Sequence, residues 1–501
     1  MKNLFKIVMS CMTIITGISL VGCHNDLYLE PVSQISGSSF WKTPDDAQSG
    51  LNGMYVRLKH QATDNLFIWG EARSQSIDFA QGGGWILHIV HNTLTSSTMQ
   101  TNESQSFMDW RRMYTIIHDA NLILKYVPDI QFVVEGDKNN ILAQAYAMRA
   151  YVYYVLTRTW GDLPLATEPF EAYSVEIVQR GRSSQQEVFT LIKNDIDEAL
   201  KLFPDNQLAS KRNYWSKPAV YALKADVYLW TAKTRGGGNT DLNTALEALN
   251  EAEKCDVVLL DDFASVFDYE NKSNREVLMT VTMKDGEMAG NSIYSQMYLS
   301  EQYMPFGLDE ETRAIILPVG GYPYLQIGNH VAELFSVDDQ RKRATYIELY
   351  DTDESGNKEL FLNLPLKMNG TVIGGVRRFY DDFVIYRYAD ILLMRAEVKN
   401  ALGQDPSSDI NKIRERAYKD NFSAHAFVNG TKEDNDAIIL QERLLEFVLE
   451  GKYWWDLIRF DKVFELIPNL IGRDQDRYLL LWPISLQTLS LEPNVQQNQG
   501  W

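Results

Sequence analysis

The octapeptide Ala147-Met148-Arg149-Ala150-Tyr151-Val152-Tyr153-Tyr154 returns as Ala222-Leu223-Lys224-Ala225-Asp226-Val227-Tyr228-Leu229, 75 residues on (147 to 222). A weaker third copy is Leu393-Met394-Arg395-Ala396-Glu397-Val398. Small alanines alternating with large aromatics suit helices packed closely in pairs, and 75 residues approximate two units of about 34 residues plus loops. The competing reading is a chance likeness between alanine-rich helices. Either way, the chain is mainly α, and the repeat favours an irregular, tetratricopeptide-like helical scaffold.

Around these copies the helical signals are dense. Thr43-Pro44-Asp45-Asp46 opens a first helix, with Thr43 as N-cap, proline at the first helical position and acids in the first turn. Apolar spacing predicts further helices from Asp109, over Ala143–Trp160 (closed by Gly161), and after the capping box Ser184-Gln185-Gln186-Glu187. Others follow Pro218, cover Asp241 to Cys255, and run from Tyr388 through Ala417. The spacing of Leu444, Phe447, Val448 and Trp455 predicts one amphipathic helix over Gln441–Phe460, with Glu442, Glu446 and Glu450 on a second stripe. Two regions lack this texture. Residues 61–106 are polar, aperiodic and centred on Gly82-Gly83-Gly84. Residues 256–385 alternate short extended runs (277–283, 346–350, 359–368) with glycine turns, an insertion between two helical halves.

The N-terminus carries a topogenic signal. Lys2 and Lys6 precede an apolar run to Val21 that ends in Leu20-Val21-Gly22-Cys23. This is the pattern of a lipoprotein signal, with residues 1–22 removed and Cys23 acylated. The run is too short and polar for a membrane span. Residues 23–39 then read as a tether, 40–255 as an N-terminal helical half, 256–385 as the variable insertion, and 386–501 as a C-terminal half. Of three cysteines, only Cys255 would remain free, so the fold relies on its core rather than disulfides. Formal charge is −19, and loss of Lys2 and Lys6 takes it to −21. That balance argues against nucleic acid and favours a neutral ligand.

Several motifs carry a family resemblance. Glu442-Arg443, Glu446, Glu450-Gly451, Trp454-Trp455-Asp456-Leu457 and Arg459 resemble the C-terminal signature of the SusD/RagB family of outer-membrane nutrient-binding lipoproteins. The lipobox, Phe40 to Tyr55, Asp109 to Asn121, the Arg149 helix, Trp160 to Leu165, Arg182 to Ser184 and Tyr388 to Glu397 resemble that family in order. So does the closing Leu480 to Trp501, where Ser485 and Gln499 replace the family's usual prolines. The resemblance implies a surface-exposed protein, lipid-anchored in the outer membrane through Cys23. It would capture a nutrient, most often an oligosaccharide, for a SusC-like TonB-dependent transporter, without cleaving it and without a cofactor. Peptide or glycopeptide capture on the same scaffold, a surface glycoside hydrolase and a purely scaffolding role are the alternatives.

Sugar recognition needs flat aromatic faces and planar polar groups. Most tryptophans fall in helices, which leaves Trp69 and Trp85 in the irregular 61–106 stretch, with Arg73 and Asp78 as polar partners. The insertion offers Tyr294, Tyr298, Tyr303, Tyr322 and Tyr324, and also Arg377 and Arg378. The family's usual site joins the early loop to the insertion, which is the reason to name them together. The doublets Asp45-Asp46, Asp261-Asp262, Asp338-Asp339 and Asp381-Asp382 do not make a glycosidase pair, which needs two acids facing across about 5–10 Å. Asp351 to Gly356 copies half of a calcium loop, but Leu362 stands where the closing glutamate belongs, so a hairpin turn is expected. No metal-ligand spacing or nucleotide motif is present.

Overall fold

The computed structural model describes residues 40–82, 84, 86–95, 98, 106–171, 180–287 and 290–501. Cys23 and Trp85 lie outside the described residues. Among the described residues, ten helices carry the scaffold: α1 (Pro44–Ala62), α2 (Arg111–Tyr126), α3 (Glu135–Trp160), α4 (Gln185–Leu202), α5 (Lys217–Thr234), α6 (Gly238–Ala252), α7 (Tyr388–Ala401), α8 (Ser407–Tyr418), α9 (Lys432–Phe447) and α10 (Tyr453–Arg459). Each of α1 to α7 packs against the next, and α7 then meets both α8 and α9.

The repeat copies occupy the first helix of three successive pairs, α3–α4, α5–α6 and α7–α8. Their alanines do what the pattern requires, since Ala147, Ala150, Ala222, Ala225 and Ala396 are fully buried where helices approach closely. The basic position has a matching task in two copies. Arg149 donates to Asp195 at 2.8 and 2.7 Å, and Arg395 to Asp409 at 2.9 and 2.7 Å, each acid lying on the second helix of the pair. The first pair uses both carboxylate oxygens and the second converges on Oδ1 of Asp409, and two-bond buried contacts of this kind fix the register of the paired helices. Lys224 instead reaches back to Asp197 on α4 at 2.7 Å.

Thr43 and Ser184 form reciprocal capping boxes with Asp46 and Glu187, and Gly161 closes α3 at φ 83°. Two boundaries differ from expectation. Helix α3 begins at Glu135, eight residues before Ala143, because its first turns are polar and exposed and so show no apolar period. The single helix expected over Gln441–Phe460 is broken after Phe447 and restarts at Tyr453. Leu449 and Gly451 both take φ 72° in the intervening turn, which no helix tolerates.

The stripe of glutamates runs on regardless of that break, because it serves a buried ionic network. Glu446 meets Arg341, Arg387 and Arg416. Glu442 meets Arg341 and Arg414, and Glu450 meets Arg387, Lys367 and Lys452. Asp339, Glu276 and Asp390 complete it on Arg341, Arg387 and Lys452. Six carboxylates balance six cations, which is how charges survive away from water. Burial works against ionisation, yet Arg416, Arg387 and Arg341 hold Glu446 well below the ordinary carboxylate range. Against the same push, Arg459 and Lys233 take Glu397 down to about 2.

A pH dependence follows from these shifts. Carboxyls held low in the fold contribute stability above their unfolded value of 4.5 and lose it as pH falls through the folded values. Asp381, which burial pushes up to about 6, has the opposite slope between 6 and 3.8. Urea midpoints should therefore stay nearly level from pH 6 to 4.5 and fall steeply from 4.5 towards 2. A midpoint still constant at pH 3 would contradict the network's charge state.

Among the described residues, strands interrupt the helices as four two-stranded antiparallel ladders. They are β1 (Ile77–Phe79) with β3 (Leu325–Ile327), β2 (Val277–Val281) with β8 (Phe383–Arg387), β4 (Tyr346–Thr352) with β5 (Lys358–Pro365), and β6 (Thr371–Ile373) with β7 (Val376–Arg378). The β4–β5 turn is the hairpin expected at Asp351 to Gly356. Asp353 accepts from the amides of Ser355 and Asn357 at 2.8 Å each, and Gly356 takes φ 84°. The aspartate doublets also serve structure: Asp46 and Asp339 cap helices, Asp261 pairs with Lys419, and Asp382 pairs with Lys272. Among the described residues, no helix is long and apolar enough to cross a membrane, and no cluster of three or more His, Cys, Asp or Glu groups is placed to hold a metal.

Candidate ligand-binding surface

The early irregular segment and the insertion meet through β1. Ile77, Asp78 and Phe79 pair with Ile327, Gln326 and Leu325. The ladder then continues irregularly, with the amides of Ala80 and Gln81 donating to the carbonyls of Tyr324 and Pro323 at 2.9 and 2.8 Å. Just before β3 the Tyr324 amide donates to the Tyr322 carbonyl at 2.8 Å, a tight three-residue turn that brings the two tyrosines side by side. Their rings stack with centroids 5.7 Å apart and 24° between planes, and Tyr322 is 52% exposed. Tyr303 comes to the same place from a short helical turn, Glu301–Tyr303.

Gly82 sits between these rings. It holds φ 73°, and a side chain there would lie 3.1 Å from the Tyr303 hydroxyl and 3.6 Å from the Tyr324 ring. Glycine is therefore required for the backbone to turn under the tyrosines. Polar groups surround the cluster. The Asp78 carboxylate is half-exposed and accepts from His91 Nε2 at 3.1 Å. Gln296 Oε1 and Ser300 Oγ are buried beside the tyrosine-bearing segments without a partner among the described residues. A platform of two stacked rings, a third phenol and flanking planar polar groups presents what a sugar ring requires, apolar faces and hydrogen-bonding edges.

Four of the expected contacts are placed elsewhere. Trp69 is fully buried, donates from Nε1 to the Phe107 carbonyl at 2.7 Å and packs edge-on against Trp160. Arg73 is buried under Trp454 and donates to Asn92 and to the Leu479 carbonyl at 2.8 and 2.6 Å. Tyr294 packs on Phe67, and Tyr298 lies under Arg377 with its hydroxyl on the Ile316 carbonyl. None of the four offers a face to a ligand. Arg377 is itself tied to the carbonyls of Pro318 and Asn369, while Arg378 is exposed on β7. Sequence reasoning did not name Gln296 or Ser300, whose unpaired polar atoms lie beside these segments.

Residues 374–479 match the model described as the SusD family, and residues 28–229 match one described as starch-binding associating with outer membrane. The structure of B. fragilis NanU is 30% identical and superposes at a TM-score of 0.80, over 94% of this chain and all of that one. The chain belongs to the SusD family. A SusD superfamily protein from Bacteroides vulgatus is similar at 29% identity and a TM-score of 0.80, over 91% of this chain and 99% of its own. SusD-like protein P38 of Formosa agariphila is 28% identical over 99% of both chains.

The SusD motifs now have a physical account, and it is a scaffold account. The glutamates of the C-terminal signature form the ionic network, and Asp456 holds Arg443 and Arg459. Arg182 donates to the carbonyls of Trp160, Asp162 and Gln496, and Asn498 to those of Trp160 and Trp482, which locks the C-terminal segment onto the end of α3. The tyrosine surface lies in the parts those motifs spare.

Proposed function

We propose that this SusD-family protein captures a glycan on the surface formed by Tyr303, Tyr322, Tyr324 and Gly82. It passes that glycan, uncleaved, to a SusC-like TonB-dependent transporter. The observation that carries the reading is the β1–β3 junction, which brings the early loop under the stacked tyrosines of the insertion, the exposed Tyr322 and the half-buried Tyr324. Trp85, three residues beyond Gly82 in sequence, is proposed as a further ligand contact, and Asp78 as a polar group at the edge of the surface. A laminarin-binding SusD-like protein shares the fold at 21% identity and a TM-score of 0.72, which supports a glycan site on such a scaffold. The net charge of −19 suits a neutral ligand and not nucleic acid. Acylated Cys23 anchors the protein to the outer membrane, with the site facing outwards.

The test is calorimetry against a panel of polysaccharides and peptides, with products assayed. Saturable binding of one glycan at micromolar to millimolar Kd, roughly −8 to −4 kcal/mol, without products is the expected result. Binding of peptides alone, or release of shorter sugars, would overturn it.

A further inference from the structure

On the helical scaffold, away from the tyrosine surface, a cleft of about 520 Å³ opens between α1, the start of α3 and the segment joining α4 to α5. Gln48, Asn140, Gln144, Asn213, Trp215 and Ser216 supply its polar lining. Three polar groups of the 213–216 stretch are unspent. Asn213 Oδ1, Trp215 Nε1 and Ser216 Oγ are all buried, and none has a hydrogen-bond partner among the described residues. Trp215 and Ser216 are only 1% and 4% exposed. Buried donors and acceptors are normally paired, so three orphans lining one cleft mark a place where something else completes them.

Ser216 makes the case more specific. It is the N-cap residue of α5, the position where a serine hydroxyl ordinarily accepts from the helix's own amides, yet its side chain makes no such bond. Ser184 at the same position of α4 does. The ring of Trp215 is held by Tyr151 and Tyr386, and its backbone amide donates to the Tyr55 hydroxyl at 2.7 Å, so the indole is fixed in place. The charges on the lining, Asp137, Asp205 and Lys211, provide no cationic cluster for an anion.

We propose that this cleft is a second ligand site, taking a neutral polyhydroxylated molecule of mono- or disaccharide size. One N–H donor, one amide carbonyl acceptor and one hydroxyl that can play either part match the alternating donors and acceptors of a sugar's hydroxyl groups. The volume falls within the range of small-molecule sites, and Phe203, Leu208 and Tyr214 add apolar and aromatic wall. The inference stands independently of the tyrosine surface.

The test uses the full chain in detergent with ¹⁵N-labelled tryptophan, the Trp215 indole signal being assigned with Trp215→Phe. Glucose, galactose, N-acetylglucosamine and maltose are titrated to roughly 50 mM, since ligands this small bind at millimolar Kd. At least one sugar should shift the Trp215 signal saturably. Ser216→Ala should weaken it about fivefold or more with the unfolding midpoint unchanged, because the hydroxyl caps nothing. Tyr322→Ala combined with Tyr324→Ala should leave it intact. The proposal is overturned by any of four results. These are no response to all four sugars (the orphans then serving ordered water alone), an undiminished response in Ser216→Ala, a lowered midpoint in that variant, or loss of the response in the tyrosine variant.

Discussion

Replacing Arg387 with alanine should lower stability by about 3–5 kcal/mol, a large share of the roughly 5–15 kcal/mol that holds a folded domain together. The guanidinium is fully buried and donates to Glu276 at 2.7 Å, to Glu446 at 2.6 Å and to Glu450 at 3.0 and 2.8 Å. It also reaches the Glu446 carbonyl at 2.9 Å. Its removal would leave six carboxylates facing five cations where water cannot compensate. The residue stands at the junction of β8 and α7, so the insertion and the C-terminal helices loosen together. Arg387→Lys should recover only part of the loss, because an ammonium cannot serve three carboxylates in a planar fork. Adding Glu450→Gln to Arg387→Ala should restore part of it by removing an uncompensated charge. Denaturant unfolding of the three variants checks this ordering. Equal stability of Arg387→Ala and the parent would contradict the network's role.

Gly70→Ala should cost about 3 kcal/mol, the upper end for overpacking, because the obstructing atom is backbone. A Cβ at that position would fall on the Gly451 carbonyl oxygen and lie 2.7 Å from Trp455 Nε1. The close approach has a purpose. The next residue, Glu71, is buried and accepts from the amides of Leu449 and Lys452 at 3.3 and 3.0 Å, and from the Ser76 hydroxyl at 2.5 Å. One carboxylate thus clamps the turn between α9 and α10 to the segment leading into β1. Gly451→Ala should cost less, since its neighbours Phe383 and Phe67 stand 3.2 Å or more away, although φ 72° adds strain. Thermal unfolding of both variants measures the difference, and a Gly70→Ala change below about 0.5 kcal/mol would refute the clamp.

That clamp also explains where reading from sequence succeeds and fails. Caps such as Thr43 and Ser184, the alanine repeat and Gly161 act within a few residues, so they are legible. The break at Val448 is not, because the glutamate spacing continues through it and Glu71, nearly 380 residues earlier, completes the turn. Irregular backbone in 61–106 suggested exposure, yet Trp69 belongs to the run Leu66-Phe67-Ile68-Trp69, apolar on every side of its short helix and buried on every side. The same signal was available for Tyr294 and Tyr298, which alternate with Ile293, Met297 and Leu299 in the core. The pairing of β1 with β3 joins segments some 250 residues apart through three-residue strands, too short to carry a pattern. Tyr322, named only as one of five tyrosines in the insertion, is exposed, and the structure sets it against Tyr324.

On the proposed reading, the joined early loop and insertion form the capture surface. Titrating the glycan that the parent binds into a Tyr322→Ala, Tyr324→Ala protein tests it most directly, with unfolding midpoints measured in parallel. Loss of the stacked platform should weaken binding by about 100-fold, or roughly 2.7 kcal/mol, whereas the midpoint should fall only modestly, because Tyr322 is exposed and Tyr324 only partly buried against the core. Unchanged affinity in that variant would place the glycan elsewhere on the molecule and contradict the account.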